Sequence, residues 1–258
     1  MIRSGNPALK ESTFLDLGTG SVVSRDGGTM TLNGTVNKTG ILLLLTVLTA
    51  AFAWSQSVVT GPDGQPMVAP GIAIYALGGA IGGLVLALVT AFKKEWSPVT
   101  APLYALVEGF FLGAISAMFE LRFPGIVMQA VLLTFGTLGA LLAAYRSGLI
   151  KATENFKLGV AAATGGIFLI YLVSFALSFF GIKVPYIHES GLIGIGFSLF
   201  VVVIAALNLV LDFDFIESGV EAGAPKYMEW YGAFGLMVTL VWLYVEFLRL
   251  LAKLQSRD

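Results

Sequence analysis

The chain has 258 residues, 57% of them hydrophobic and 12% charged, and a mean hydropathy of +0.86. A soluble domain of this length carries about 25% charged residues, so the composition points to an integral membrane protein. A net charge of −1 offers no basic surface for nucleic acid, and no cysteine with a single histidine, His188, excludes thiolate metal sites, disulfides, iron–sulfur clusters and a haem held by two histidines of the chain.

Residues 1–38 are polar and contain LGTGSVVSRDGGTMTLNGTVNK, rich in Gly, Ser, Thr and Asn. With so little apolar surface they are expected to form a mobile tail. A small hairpin around Asn33-Gly34 is the alternative. Residues 39–258 are expected to form an all-α, polytopic domain of seven transmembrane helices. Its spans are runs of about 20 apolar residues with few charges, at 39–62, 71–92, 96–119, 123–145, 158–182, 191–211 and 230–252. They lack the alternating segments of about ten residues that mark a membrane barrel. Proline, glycine and charge mark the short connections. GGAIGGLVLA (78–87) and TFGTLGALLAA (134–144) place small residues three and four apart, the spacing with which membrane helices approach closely.

Ten of the basic residues fall in the tail and the loops after spans two, four and six, against five on the other side. This bias puts the N-terminus in the cytoplasm. Seven spans then put the C-terminus outside. Arg249, Lys253 and Arg257 oppose that; if one apolar run failed to span, the C-terminus would also lie inside.

No enzyme activity and no cofactor are expected. Ser198 in GFSLF sits in a Gly-x-Ser, but a nucleophilic serine needs a base within hydrogen-bond reach, and His188 lies ten residues earlier in a loop. His188 reads as an interfacial residue, with pH sensing as the alternative. One histidine cannot supply His-Glu-x-x-His, and GTGS in the tail lacks the phosphate-loop lysine.

The intramembrane acids are more informative. A charge at a helix centre costs about 2.5–3.5 kcal/mol on insertion scales, so such residues face the protein interior, pair, or hold a proton. Glu108 sits mid-span in LYALVEGFFLGA and reads first as a protonated, hydrogen-bonded packing residue. Glu246 is followed at +3, +7 and +11 by Arg249, Lys253 and Arg257, one helix stripe that would suit a snorkelling terminus. Asp212, Asp214 and Glu217 close the run VVVIAALNLVLDFDFIESG. They mark either where a helix leaves the membrane or a site. On a helix, 212 and 214 point about 200° apart, so they cannot both face one partner.

Taken together, RSGNPAL, GTVNKTGILLLL, YALVEGFFLGAISA, LNLVLDFDFIESGVEAGAPKYMEWYGAFG and LVWLYVEFLRLLAKL resemble the bacterial branch of the Bax inhibitor family over nearly the whole chain. The resemblance implies seven spans with the last surrounded by the other six. It implies a pH-sensitive calcium leak channel whose sensor is a carboxylate late in span six and one within span seven. LDFDFIE puts Asp212 on the first position, with Asp214 where relatives often carry Asn or Gln. LYVEF puts Glu246 on the second, and Glu108 matches an acid–glycine pair of span three. The span-seven acid is Glu rather than Asp, and the connection between the two acids is longer than in small members.

The implied function is a cation leak, with Ca²⁺ the expected ion, gated by Asp212 and Glu246. Calcium takes oxygen ligands, so these two are also the candidate Ca²⁺ contacts, with Asp214 and Glu108 secondary. Two facing carboxylates resist joint ionisation, so one keeps a proton that would lock spans six and seven. The alternative is a non-conducting regulator of other membrane proteins, as in membrane-protease quality control, with the polar tail as contact surface. The lipid bilayer is the common surrounding, a bacterial inner membrane on the resemblance.

Overall fold

The computed structural model describes residues 28–181 and 191–256. His188 and most of the polar tail lie outside them. The order is α1 (Leu32–Ser57), β1 (Val58–Thr60), β2 (Pro66–Val68), α2 (Ile72–Phe92), a 3₁₀ turn (Lys94–Trp96), α3 (Ser97–Arg122), α4 (Ile126–Arg146), α5 (Glu154–Ser178), α6 (Leu192–Glu221) and α7 (Met228–Gln255). Seven helices are long and apolar enough to cross a membrane, as expected.

The differences from expectation lie at the helix ends. α1 starts at Leu32, so residues 32–38 belong to a helix, and Asn33-Gly34 sits in its first turn rather than in a hairpin. Thr31 is the reason: its extended backbone and side-chain oxygen, accepting from the Gly34 N–H at 3.0 Å, form an N-cap. At the other end the β-branched Val58, Val59 and Thr60 leave the helix and pair antiparallel with Pro66–Val68. Asp63-Gly64 makes the turn, with Gly64 at φ 75°. α4 starts under Glu120, whose carboxylate accepts from the N–H groups of Gly125 (2.6 Å) and Val127 (3.1 Å), where a helix N-terminus favours an anion. α6 runs ten residues past its apolar stretch to Glu221. Asp212, Asp214 and Glu217 are therefore helix residues.

The chain forms two compact units. Among the described residues one holds 28–127 and 216–237, with α1, α2, α3 and the facing ends of α6 and α7. The other holds 128–215 and 238–256, with α4, α5 and the rest of α6 and α7. α7 has the most enclosed span, 61% buried. Its first half meets α1 and α3: the Thr46 hydroxyl lies 3.9 Å from Met237 Sδ, and Tyr104 packs edge-on to Phe234 at 5.1 Å. Its second half meets α5 and α6 through the contacts described below.

Candidate functional site

Asp212 and Glu246 belong to the unit of residues 128–215 and 238–256, and both are buried, at 0% and 1% exposure. Glu246 is held from two sides. The Tyr171 hydroxyl of α5 donates to its oxygens at 3.1 and 3.2 Å. Arg249, one turn on, donates at 3.1 Å and lays its guanidinium over the Tyr171 ring, 5.2 Å from the centroid. Glu246 and Arg249, neighbours on one helix stripe, thus form an ion pair. Lys253 does not continue the stripe outward: its ammonium donates to the Gly194 carbonyl (3.0 Å) and the Ser198 hydroxyl (2.8 Å) of α6.

Asp214 forms an ion pair with Lys157 of α5 at 2.8 Å, and Lys157 reaches Glu154 at 3.6 Å. Lys157 is buried, which composition did not reveal. The apolar run starts at 158, but Thr153 caps a helix from Glu154, so Lys157 falls in its first turn facing α6. Farther along the same two helices the Asn208 amide donates to the Thr164 hydroxyl at 2.8 Å. Next come Ile167, Val201 and Ile204, a buried apolar cluster against which Trp242 of α7 packs.

These contacts fix the register of α6 on α7. The helices run antiparallel, and Lys253 reaches Ser198 and Gly194 while Trp242 meets the cluster around Val201 and Ile204. Seven residues back from Lys253 is Glu246; seven forward from Ser198 is residue 205. Asp212 therefore lies at least about two helical turns, ~10 Å or more, from the level of Glu246, toward the α6–α7 turn. A hydrogen bond between acids spans only about 2.5–3 Å. On this register the two buried acids sit at separate depths of the helices. Among the described residues no three His, Cys, Asp or Glu side chains gather as a metal site.

Two further acids are buried in the unit of residues 28–127 and 216–237. The Glu108 carboxyl of α3 lies against Gly83 of α2, where a Cβ would overlap its Oε2. It is thus an interior residue, as expected, seated in a glycine notch. Glu229, in the first turn of α7, is fully buried and collects the N–H (3.0 Å) and hydroxyl (2.8 Å) of Thr31, the ammonium of Lys226 (2.6 Å) and that of Lys38. Lys38 also lies 5.4 Å from the Trp230 ring. Glu229 was not singled out from the sequence, where it reads as a loop acid. The available signal is Lys226 three residues before it.

A family model described as Bax inhibitor 1 like matches residues 6–256, nearly the whole chain. Among curated proteins none matches.

Proposed function

The chain belongs to the Bax inhibitor 1 like family, and on that premise we propose that it is a pH-sensitive cation leak with Ca²⁺ as the expected ion. The observation that carries this reading is the burial of two acids, Asp212 and Glu246, in apolar membrane-spanning helices at 0% and 1% exposure. Such residues mark ion or proton pathways in membrane proteins. Their separation in depth favours two stations in series over one shared proton. The calcium ion is cargo, met by one carboxylate at a time and by carbonyl and hydroxyl oxygens between them.

The sign of the pH response follows from linkage. A neutral acid is at home in a dry seam, and an ionised one draws water and cations. The closed state, which holds its protons more tightly, is favoured at low pH and loses that advantage as pH rises. Flux should therefore increase from mildly acidic to mildly alkaline pH. The basic residues of the tail and alternate loops favour a cytoplasmic N-terminus, and the resemblance favours a bacterial inner membrane.

The test is calcium flux against pH for purified protein in liposomes, with Asp212→Asn and Glu246→Gln alongside. Each amide should remove part of the pH response, because it has no proton to release. A response intact in both variants would return Glu246 to a structural pair with Arg249. No flux from the wild type, with stable capture of another membrane protein, would favour the regulatory reading.

A further inference from the structure

The unit of residues 128–215 and 238–256 carries polar side chains across its helices at several levels. On α5 the levels fall at 157, 164, 167 and 171. Lys157 meets Asp214 at 2.8 Å. Thr164 meets Asn208 at 2.8 Å. Ile167 meets Val201 and Ile204, three buried aliphatic side chains flanked by Phe197 and by the rings of Tyr171 and Trp242. Tyr171 meets Glu246 at 3.1 Å. From 157 to 171 is about 21 Å of helix, most of a hydrocarbon core of about 30 Å. The sequence of levels is polar, polar, dry, polar.

Three cations line this seam, each engaged by an acceptor: Lys157 by Asp214, Arg249 by Glu246, and Lys253 by a carbonyl and a hydroxyl. Four acids, Glu154, Asp212, Asp214 and Glu246, belong to the same helices and outnumber them.

Resting on the leak reading above, we propose that the ion route follows the α5–α6–α7 seam and that Ile167, Val201 and Ile204 are its dry constriction. Thr164–Asn208 is the station on one side of the constriction and Tyr171–Glu246 the station on the other. A short apolar neck between polar stations conducts only when wetted, and one polar side chain in it suffices to favour water. The seam also places Asp212 and Glu246 on opposite sides of the neck, which is why they need not touch.

The chain has no cysteine, so single cysteines report accessibility without background. The experiment measures liposome calcium flux before and after a small cationic thiosulfonate reagent, for Thr164→Cys, Ser198→Cys and Leu169→Cys, together with Ile204→Ser. Leu169 is 59% exposed on the outer face of α5 and serves as the lipid-facing control. The reagent should cut flux several-fold at Thr164→Cys and Ser198→Cys and leave Leu169→Cys unchanged. Ile204→Ser should raise the leak at acidic pH at least severalfold. A conducting protein whose Thr164→Cys and Ser198→Cys forms resist the reagent has its route elsewhere, and the seam is overturned while the leak reading stands. Loss of flux on modification at Leu169→Cys overturns it equally. A wild type without flux overturns the leak reading and the route with it.

Discussion

The two compact units hold their helices together in different ways. Where α1, α2 and α3 meet, backbones approach on glycine. A Cβ on Gly79 would come 2.5 Å from the Phe111 amide nitrogen, and one on Gly109 would come 2.6 Å from the Thr46 carbonyl oxygen. In the unit of residues 128–215 and 238–256, Gly136, Gly139, Gly159, Gly165, Gly166 and Gly196 each have nothing within 4 Å of that position. Cohesion there includes side chains that reach across: Lys157 to Asp214, Asn208 to Thr164, Tyr171 to Glu246. Close backbone packing leaves no room for water or an ion. A seam held by polar side chains can exchange those bonds for water at modest cost. The first is suited to a fixed scaffold and the second to a route that opens.

The largest expected effects come from placing a methyl group on the glycine faces. Gly79→Ala and Gly109→Ala should each lower stability in detergent by about 1–3 kcal/mol, because each new methyl group meets backbone atoms that cannot turn aside, besides the side chains of Phe111 and Thr49. Gly165→Ala and Gly166→Ala should stay within about 1 kcal/mol of the parent, with the helix preference of alanine in their favour. Thermal unfolding of the four variants is the check. Equal losses in both sets would remove the distinction between the units.

Glu229 and Glu246 repeat the contrast on one helix. Glu229 accepts from four donors on three stretches of chain, and its lysines keep partial access to solvent, at 18% for Lys38 and 45% for Lys226. Such saturation suits a fixed anchor. Glu229→Gln should cost about 2 kcal/mol, below the 3–5 kcal/mol of a fully enclosed pair because the stranded lysines can reach water. The pH profile of calcium flux should keep its shape in this variant. A displaced profile would make Glu229 part of the sensor. Lys157→Met should cost a little less, about 1–2 kcal/mol, since Asp214 retains 20% exposure, and adding Asp214→Leu should recover part of the loss in the same melting assay.

The sequence told the spans apart from the loops because apolar runs of this length have one stable home. It misjudged ends, where single residues decide: Thr31 draws α1 back to Leu32, and α6 runs on through Asp212 to Glu221. It also read GGAIGGLVLA and TFGTLGALLAA alike. Gly79 and Gly83 in the first do seat a neighbour, whereas Gly136 and Gly139 in the second face none within 4 Å. Spacing of small residues gives the capacity for close approach, and only a matching ridge such as Phe111 uses it. The buried acids were legible because charge inside an apolar run is costly. Their partners were not: Tyr171 lies 75 residues from Glu246 along the chain, and no local pattern links them.

The smallest effect is the most discriminating for the seam. If Asp212 and Glu246 are stations at least about 10 Å apart in depth rather than a pair sharing a proton, the amide substitutions should act independently. Energies of sites more than about 7–10 Å apart add to within about 0.5 kcal/mol. In flux at a fixed alkaline pH, the change in Asp212→Asn/Glu246→Gln should then equal the product of the two single changes to within about twofold, since 1.4 kcal/mol corresponds to about tenfold. A pair that titrates as a unit behaves otherwise, because its protons leave in steps that belong to both groups. Once one acid of such a pair has become an amide, the shared proton is gone and the second substitution adds little. The measurement is calcium flux in liposomes for the wild type, both single variants and the double variant across the pH range. Multiplicative changes support two stations on either side of the Ile167, Val201 and Ile204 neck. A double variant no different from either single one would bring Asp212 and Glu246 back into contact and require α7 to slide by about two turns or more against α6.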